Sequence, residues 1–187
     1  MLEISKIKVG DIIEKDNQPL KVVRASFSKI GRQGAVLRTK LKNLISGNVS
    51  DITFRDSDKL KKAEITREKA QYLYNQDNQY FFMNLNNYEQ FSFDKEILGN
   101  LTNFLKEQCE VQILLFNDQP TNIELPVKLD FEVTEAPPAT RGNTAEGGSK
   151  KIKIQTGYTL DAPLFIKQGD KIKINTTDGK YVERVAE

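Results

Sequence analysis

The sequence predicts an all-β protein built from small antiparallel barrels. Short alternating or apolar runs recur along the whole chain, and turn signals such as Asn17-Gln18-Pro19, Asn117-Asp118 and Asp178-Gly179 separate them. Runs of this length and spacing suit small barrels better than alternating strands and helices. The predicted strands are, in chain order, DIIEKD, LKVVRASF, AVLRTKLKNL, DITF, YLYN, QYFFMNL, EQFSF, VQILLF, TNIEL, KLDFEV, KIKIQT, KIKINT and KYVERV.

A short helical segment is predicted at residues 94–108. Its apolar positions follow helical spacing, but Gly99 and Asn100 are expected to break it into two short turns. We expect this segment to cover the mouth of one barrel.

Two connections divide the chain into three units. Residues 56–70 are hydrophilic and rich in charge, and a shorter connection follows near Pro126. The predicted units are residues 1–64, 65–127 and 128–187, each small enough that we expect them to pack on one another. The third unit contains a stretch without strand character, residues 135–150, and a loop of that length is more often functional than idle.

Composition argues against an enzyme. The 187 residues contain no histidine, which removes the commonest general base and zinc ligand, and a single cysteine, Cys109, which lies in an apolar run typical of a buried strand. Acidic residues are scattered rather than paired. We therefore expect no catalytic residue, metal or cofactor. The sequence shows neither a bilayer-spanning apolar run nor a signal peptide, so a cytoplasmic protein without membrane contact is expected.

Charge is concentrated in one segment. The net charge is only +2, yet between Asp16 and Asp51 the chain has no acidic residue and seven basic ones: Lys21, Arg24, Lys29, Arg32, Arg38, Lys40 and Lys42. A field of one sign is expected of a surface that approaches phosphate backbones. A lysine-rich, solvated strand face is the alternative interpretation.

The basic segment contains SKIGRQGA, residues 28–35, in which Arg32 stands between Gly31 and Gly34. Glycines at these positions allow a tight turn that presents the arginine, although an ordinary exposed β-turn would look the same. Aromatic residues further along the chain suggest another possibility, a general single-stranded nucleic-acid binder that stacks bases. They are Tyr72, Tyr74, Tyr80, Phe81 and Phe82. The last three are consecutive, so at least one face must be core.

Four blocks carry a resemblance that spans nearly the whole chain. They are SFSKIGRQGAVLRTKLKNLISG, YLYNQDNQYFFMN, EAPPATRGNTAEGGSKKIKIQTG and PLFIKQGDKIKINTTDGKYVERV. In order and spacing they resemble the bacterial translation elongation factor P family. The resemblance implies a KOW-like (SH3-like) barrel followed by two OB-folds. It also implies a monomer that binds rRNA and ribosomal proteins beside the peptidyl-tRNA, between the peptidyl and exit sites, and relieves stalling at consecutive prolines. A paralogous elongation-factor-P-like protein is the alternative.

The resemblance also implies roles for residues of the first unit. Lys29, Gly31, Arg32 and Gly34 form the tip that reaches the CCA end of the peptidyl-tRNA, prolyl-tRNA in particular. Lys21, Arg24, Arg38, Lys40 and Lys42 form an RNA-facing basic patch. Many members carry a lysine at the tip in a Pro-Gly-Lys-Gly setting. Ile30 and Arg32 instead resemble the members whose arginine is rhamnosylated, so an arginine rhamnosyltransferase is an expected partner, with activity of the unmodified arginine as the alternative.

In the third unit the resemblance implies two contacts. Gly142, Asn143 and Thr144 match a Gly-Asp-Thr motif that lies near the exit-site codon, with Asn in place of the acid. Tyr181 and Arg184 match a segment that can touch tRNA, although a strand tyrosine can equally pack on its own barrel.

Overall fold

The structure is a computed structural model, which describes residues 2–29, 34–138 and 148–185. These residues form three five-stranded sheets, and every strand pair in them is antiparallel. Each sheet is formed by five consecutive strands of the chain. The predicted all-β architecture is confirmed.

The first sheet has the strand order β4-β3-β2-β1-β5. Its strands are β1 (Ile12–Lys15), β2 (Gln18–Lys29), β3 (Ala35–Asn43), β4 (Val49–Arg55) and β5 (Lys61–Lys62). A 3-10 turn at Ile4–Lys6 precedes them and contributes Ile4 to the core that this sheet encloses. Alternation of buried and exposed positions along β3 marks one face as core and the other as surface.

The second sheet has the order β10-β9-β6-β7-β8. Its strands are β6 (Ile65–Gln76), β7 (Gln79–Asn84), β8 (Gln90–Asp94), β9 (Glu110–Phe116) and β10 (Gln119–Glu124). Cys109, just before β9, belongs to the core beneath the sheet, and its burial raises the pKa of the thiol. The prediction of a core cysteine is confirmed.

The connection from β8 to β9 contains the predicted helical segment. A single turn of α-helix, α1 (Lys95–Leu98), ends at Gly99, whose φ of 59° and ψ of −129° break the helix, and a 3-10 turn follows at Gly99–Phe104. Leu98 and Leu105 pack into the second core, while Phe104 packs into the third. The segment therefore covers the second core and also inserts Phe104 into the third.

The third sheet has the order β13-β12-β11-β14-β15. Its strands are β11 (Lys128–Glu135), β12 (Ser149–Ile154), β13 (Thr159–Pro163), β14 (Lys171–Asn175) and β15 (Lys180–Arg184). The edge strands β13 and β15 also contact each other, which curls the sheet toward closure around its core.

Two features of this architecture were not predicted. Residues 56–70 were expected to be a hydrophilic connection, but they contain β5 and the first half of β6, which pairs with β9 from Ile65 onward. Backbone pairing defines this part of β6, because most of its side chains stay exposed or half-buried. Strand β13 was also missed, since only Leu160 and Ala162 give it an apolar face.

The first two units share a small apolar cluster at their junction. Ile12, Leu44 and Ala63 of the first pack against Leu114 and Phe116 of the second. The side-chain amide of Asn122, which is 2% exposed, donates to the carbonyl oxygen of Leu44 at 3.2 Å. Leu44 directly follows β3, so this junction fixes the position of the β2–β3 hairpin on the second unit.

Candidate nucleic-acid interface

The β2–β3 hairpin carries the basic segment. The two strands pair from Leu20 opposite Asn43 to Lys29 opposite Ala35. Gly34 has a φ of +81°, a left-handed conformation that strains any residue with a side chain. The predicted tip residues Gly31 and Arg32 lie outside the described residues.

One face of this hairpin collects the predicted patch. Leu37, Thr39 and Leu41 of β3 are buried, so the alternating residues between and after them point away from the core. Residues directly opposite one another on paired strands share a face, and the register pairs Lys21 with Lys42, Arg24 with Lys40, and Ser26 with Arg38. We call this the outer face, and the structure brings together on it Lys21, Arg24, Arg38, Lys40 and Lys42.

A β-bulge is responsible for the position of Arg24. Val22 pairs with Leu41 and Arg24 with Lys40, so β2 carries one extra residue, Val23, between them. Without it, strict alternation from Lys21 would turn Arg24 toward the core. The extra residue reverses the alternation, which re-aims the arginine to the outer face.

Two members of the patch are engaged at the junction with the second unit. The Lys21 ammonium lies 3.3 Å from the Glu124 carboxylate, and the Lys42 ammonium donates to the carbonyl oxygen of Ile97 at 2.7 Å. Burial, followed by the nearby charge of Lys21, lowers the pKa of Lys42. Arg24, Arg38 and Lys40 are exposed, so they form the solvent-facing part of the patch.

Sequence reasoning missed two residues beside this hairpin. Arg55 on β4 is exposed and pairs with Val36, one pair from Arg38, so it extends the outer face toward the turn. Asp56 follows it, and its carboxylate accepts a hydrogen bond from the Ala35 amide at 3.1 Å, at the base of the turn. Counting charge only as far as Asp51 hid Arg55, although the alternation of β4 could have shown it.

The third unit gives the remaining candidates different settings. Gly142, Asn143 and Thr144 lie outside the described residues. Tyr181 pairs with Ile174 on β14 and packs, partly buried, against the third core, which favours a structural role for its ring. Arg184 is exposed at the end of β15, opposite Ile172.

The aromatic residues of the second unit are mostly core. Tyr72 and Phe82 are 3% and 0% exposed, as the prediction of one core face requires, and burial raises the pKa of Tyr72 to about 12. On the opposite face Tyr74 and Phe81 stack on each other with ring centroids 4.8 Å apart. Phe81 pairs with Ser92, and the next pair on the same face is Met83 and Gln90, all uncharged. The strand positions next to this aromatic pair therefore carry no cation.

The described part of the chain contains no cluster of three or more potential metal ligands among His, Cys, Asp and Glu. Within the same residues, no helix is long and apolar enough to cross a membrane.

Comparison with known proteins covers all three units. Residues 3–60 match the family model "Elongation factor P (EF-P) KOW-like domain", residues 65–123 match "Elongation factor P (EF-P) OB domain", and residues 129–184 match "Elongation factor P, C-terminal". Among solved structures, one described as eukaryotic translation initiation factor 5A from Methanococcus jannaschii aligns at 24% identity and a TM-score of 0.45, over 65% of this chain and 94% of that one.

Full-length relatives agree with these matches. The elongation factor P of Desulfotalea psychrophila is 40% identical over 185 residues, which is 99% of each chain. That of Aquifex aeolicus is 38% identical over 186 residues, 100% of this chain and 97% of the relative. That of Brachyspira hyodysenteriae is 39% identical over 185 residues, again 99% of each.

Proposed function

Because the chain belongs to the elongation factor P family of translation factors, we propose that it binds the ribosome beside the peptidyl-tRNA, between the peptidyl and exit sites. There it stimulates peptide-bond formation when consecutive prolines stall synthesis. The observation that carries this proposal is the outer face of the β2–β3 hairpin, where Arg24, Arg38 and Lys40 stand side by side and exposed. Such a face neutralises phosphates without reading sequence.

In this proposal Arg32 reaches the acceptor end of the peptidyl-tRNA. An arginine side chain is long, keeps its charge at neutral pH, and offers five donors to phosphate and ribose oxygens. Gly31 and Gly34 have no side chain, which lets the backbone pass close to RNA, and Lys29 at the end of β2 supplies a further cation.

The factor acts by positioning, and the ribosome performs the chemistry. Proline is a poor reactant partly because its ring restricts the geometry of the reacting ends. Holding the end of the tRNA in an orientation ready for attack lowers the entropic part of the barrier. This role requires no acid, base or metal from the factor.

Arg32 is also the proposed modification site. A guanidinium has no free primary amine, so the lysylation of lysine-tipped members is not expected at this position. Rhamnosylation by an arginine rhamnosyltransferase is the modification that we propose, and activity of the unmodified arginine is the alternative.

The third unit is proposed to approach the exit-site codon. Gly142, Asn143 and Thr144 supply the loop, and the Asn143 amide can both donate to and accept from a base edge. Arg184, exposed at the end of β15, is the proposed tRNA contact on that unit.

Reconstituted translation of a reporter with three consecutive prolines tests the function. The reactions contain no factor, the protein purified from its host, the unmodified recombinant protein, or the Arg32→Ala variant, and a proline-free reporter is the control. We expect rescue of the proline reporter alone and its loss in Arg32→Ala. Full rescue by Arg32→Ala would count against the positioning role, and intact mass of the host protein identifies the modification.

A further inference from the structure

Phe27 is an exposed aromatic residue in the middle of the basic segment. It lies on β2 directly opposite Leu37, which is 1% exposed, so both side chains are on the face that turns toward the core. Phe27 is nevertheless 47% exposed. In the next pair on this face, Ala25 is half-buried and Thr39 is buried. On β3 the core continues through Leu37 to Ala35, so the ring of Phe27 lies at the rim of this core on the β2 side, where solvent reaches it.

This ring is close to the turn and beside a cation. One pair separates Phe27 from the last described pair, Lys29 with Ala35, so the distance along the strand is about 7 Å. Lys29 is two residues further along β2, and side chains at that spacing share a face. An exposed ring is therefore followed by an exposed ammonium on the same side of the hairpin.

Charge complementarity identifies the class of partner. Lys29 shares the face of Phe27, and Arg24, Arg38 and Lys40 are exposed on the outer face of the same hairpin, so the two strands carry cations on both faces. Aromatic rings set in a cationic groove are the usual means of holding unpaired nucleotides, since every base offers a face for stacking and every linkage a phosphate. The Tyr74–Phe81 pair differs, because its rings stack on each other and the paired positions beside it, Ser92, Met83 and Gln90, carry no cation.

We infer that Phe27 stacks on an unpaired nucleotide of the RNA partner while Lys29 contacts the adjoining phosphate. The inference rests on the proposed function, which identifies that nucleotide as one at the single-stranded 3′ end of the peptidyl-tRNA. Phe27 is then a positioning residue that holds a base while the turn beyond it reaches the reacting end.

Substitutions that distinguish the effect of the aromatic ring from the effect of apolar volume alone test the inference. Phe27→Ala removes the side chain, Phe27→Leu keeps apolar bulk without a π-face, and Phe27→Tyr and Phe27→Trp keep the ring. In the triple-proline assay we expect the half-saturating factor concentration to rise about tenfold for both Ala and Leu, and to stay within about twofold for Tyr and Trp. Thermal unfolding of each variant checks that the fold is intact, and a merely structural role would not separate Leu from Tyr.

Photo-crosslinking gives a second readout. The photoreactive residue p-benzoylphenylalanine is incorporated at position 27, and at position 165 as the matched control, because Phe165 is 58% exposed on the third unit. Crosslinks are formed on ribosomes stalled at consecutive prolines and mapped on the RNA. We expect position 27, and not position 165, to react with the unpaired 3′-terminal nucleotides of the peptidyl-tRNA.

The outcomes separate this inference from the proposed function. If the unsubstituted host protein rescues the reporter but Leu, Tyr and Ala at position 27 behave alike, or position 27 crosslinks only to rRNA or to paired tRNA nucleotides, the stacking role is wrong and the proposed function stands. If the host protein itself gives no rescue, the proposed function fails and the inference fails with it.

Discussion

The ammonium group of Lys42 lies 2.7 Å from the carbonyl oxygen of Ile97, and this hydrogen bond joins the basic hairpin to the helical segment of the second unit. The amide of Asn122 also approaches that carbonyl, at 3.5 Å, while it bonds Leu44 of the first unit. A few residues further on, Phe104 enters the core of the third unit. The short segment 95–104 therefore contacts all three units, and its integrity should decide whether they act as one body.

Gly47 is predicted to be essential to this arrangement. Its φ is +77°, and a Cβ at this position would lie 2.8 Å from the backbone oxygen of Glu96 in α1. Gly157 is the matched control, because its φ is +87° and a Cβ there would meet nothing within 4 Å. Gly157→Ala should lower the free energy of unfolding by about 1–2 kcal/mol through backbone strain alone.

Gly47→Ala should lower the free energy of unfolding by about 1–2 kcal/mol more than Gly157→Ala does, since backbone of the second unit must shift. Urea denaturation measures both variants. Equal losses would mean that the two units separate readily at this point and that the close approach adds no stability.

Phe104 is predicted to hold the third unit on the second. Its ring is 3% exposed and makes an edge contact with Tyr158 at a centroid distance of 5.0 Å, and the Thr156 hydroxyl donates to the neighbouring Asn103 carbonyl oxygen at 2.6 Å. Phe104→Ala should destabilise the protein by about 3–5 kcal/mol, because it leaves a cavity in a packed core.

Amide hydrogen exchange shows which part of the protein Phe104→Ala destabilises. Amides of β11 to β15 should exchange faster in Phe104→Ala, while those of the first sheet keep their protection. The exposed Phe165→Ala is the control and should stay within about 0.5 kcal/mol of the unsubstituted protein. Uniform loss of protection in all three sheets would show instead that the units unfold only together.

Glu124 should make the junction sensitive to acid. Burial raises the pKa of its carboxyl, but the hydrogen bond and charge of Arg67 at 2.9 Å, with the charge of Lys21, outweigh burial and leave the pKa below its ordinary value. Since the folded pKa lies below the unfolded one, the ionised carboxylate contributes stability above the unfolded pKa. That contribution is lost as the pH falls through the folded pKa.

Glu124→Gln should therefore cost about 1–2 kcal/mol at pH 7 and progressively less toward acid pH. Denaturation at a series of pH values measures the difference, with the exposed Glu107→Gln as the control. A difference that stays constant down to strongly acid pH would rule out the ion pairs as its source.

Sequence patterns predict a strand correctly where one of its faces is buried, and they fail where backbone pairing alone defines the strand. The alternation in β3 predicts both its core and its cations, and the break at Gly99 follows from a residue that helices tolerate poorly. The start of β6 could not be predicted in this way, because its side chains there are mostly polar and its strand character comes from pairing with β9.

The same distinction applies to the candidate site. The sequence shows the basic segment as a run without acidic residues, but it does not show which of the cations are exposed. Lys21 and Lys42 are engaged by Glu124 and Ile97, which lie about a hundred and about fifty residues away in the chain. The orientation of Arg24 also departs from strict alternation because of the bulge at Val23, and no neighbouring residue in the sequence indicates that bulge. Contacts between distant parts of the chain decide these positions, and periodicity carries no information about them.

Salt dependence should separate the exposed cations from the engaged ones. Arg24, Arg38 and Lys40 are exposed on the outer face, so each is expected to release about one counterion when it meets a phosphate. Removing each one by alanine should reduce the slope of log affinity against log salt, for binding to stalled ribosomes, by about one. Lys62→Ala is the control, because this exposed lysine lies on the edge strand β5, which β1 separates from the hairpin, and the slope of this variant should not change. Lys21→Ala and Lys42→Ala should instead lower stability, because they remove donors from Glu124 and from the Ile97 carbonyl oxygen. Unchanged slopes in the three outer-face variants would mean that this face does not meet phosphates and that the RNA-binding surface lies elsewhere on the protein.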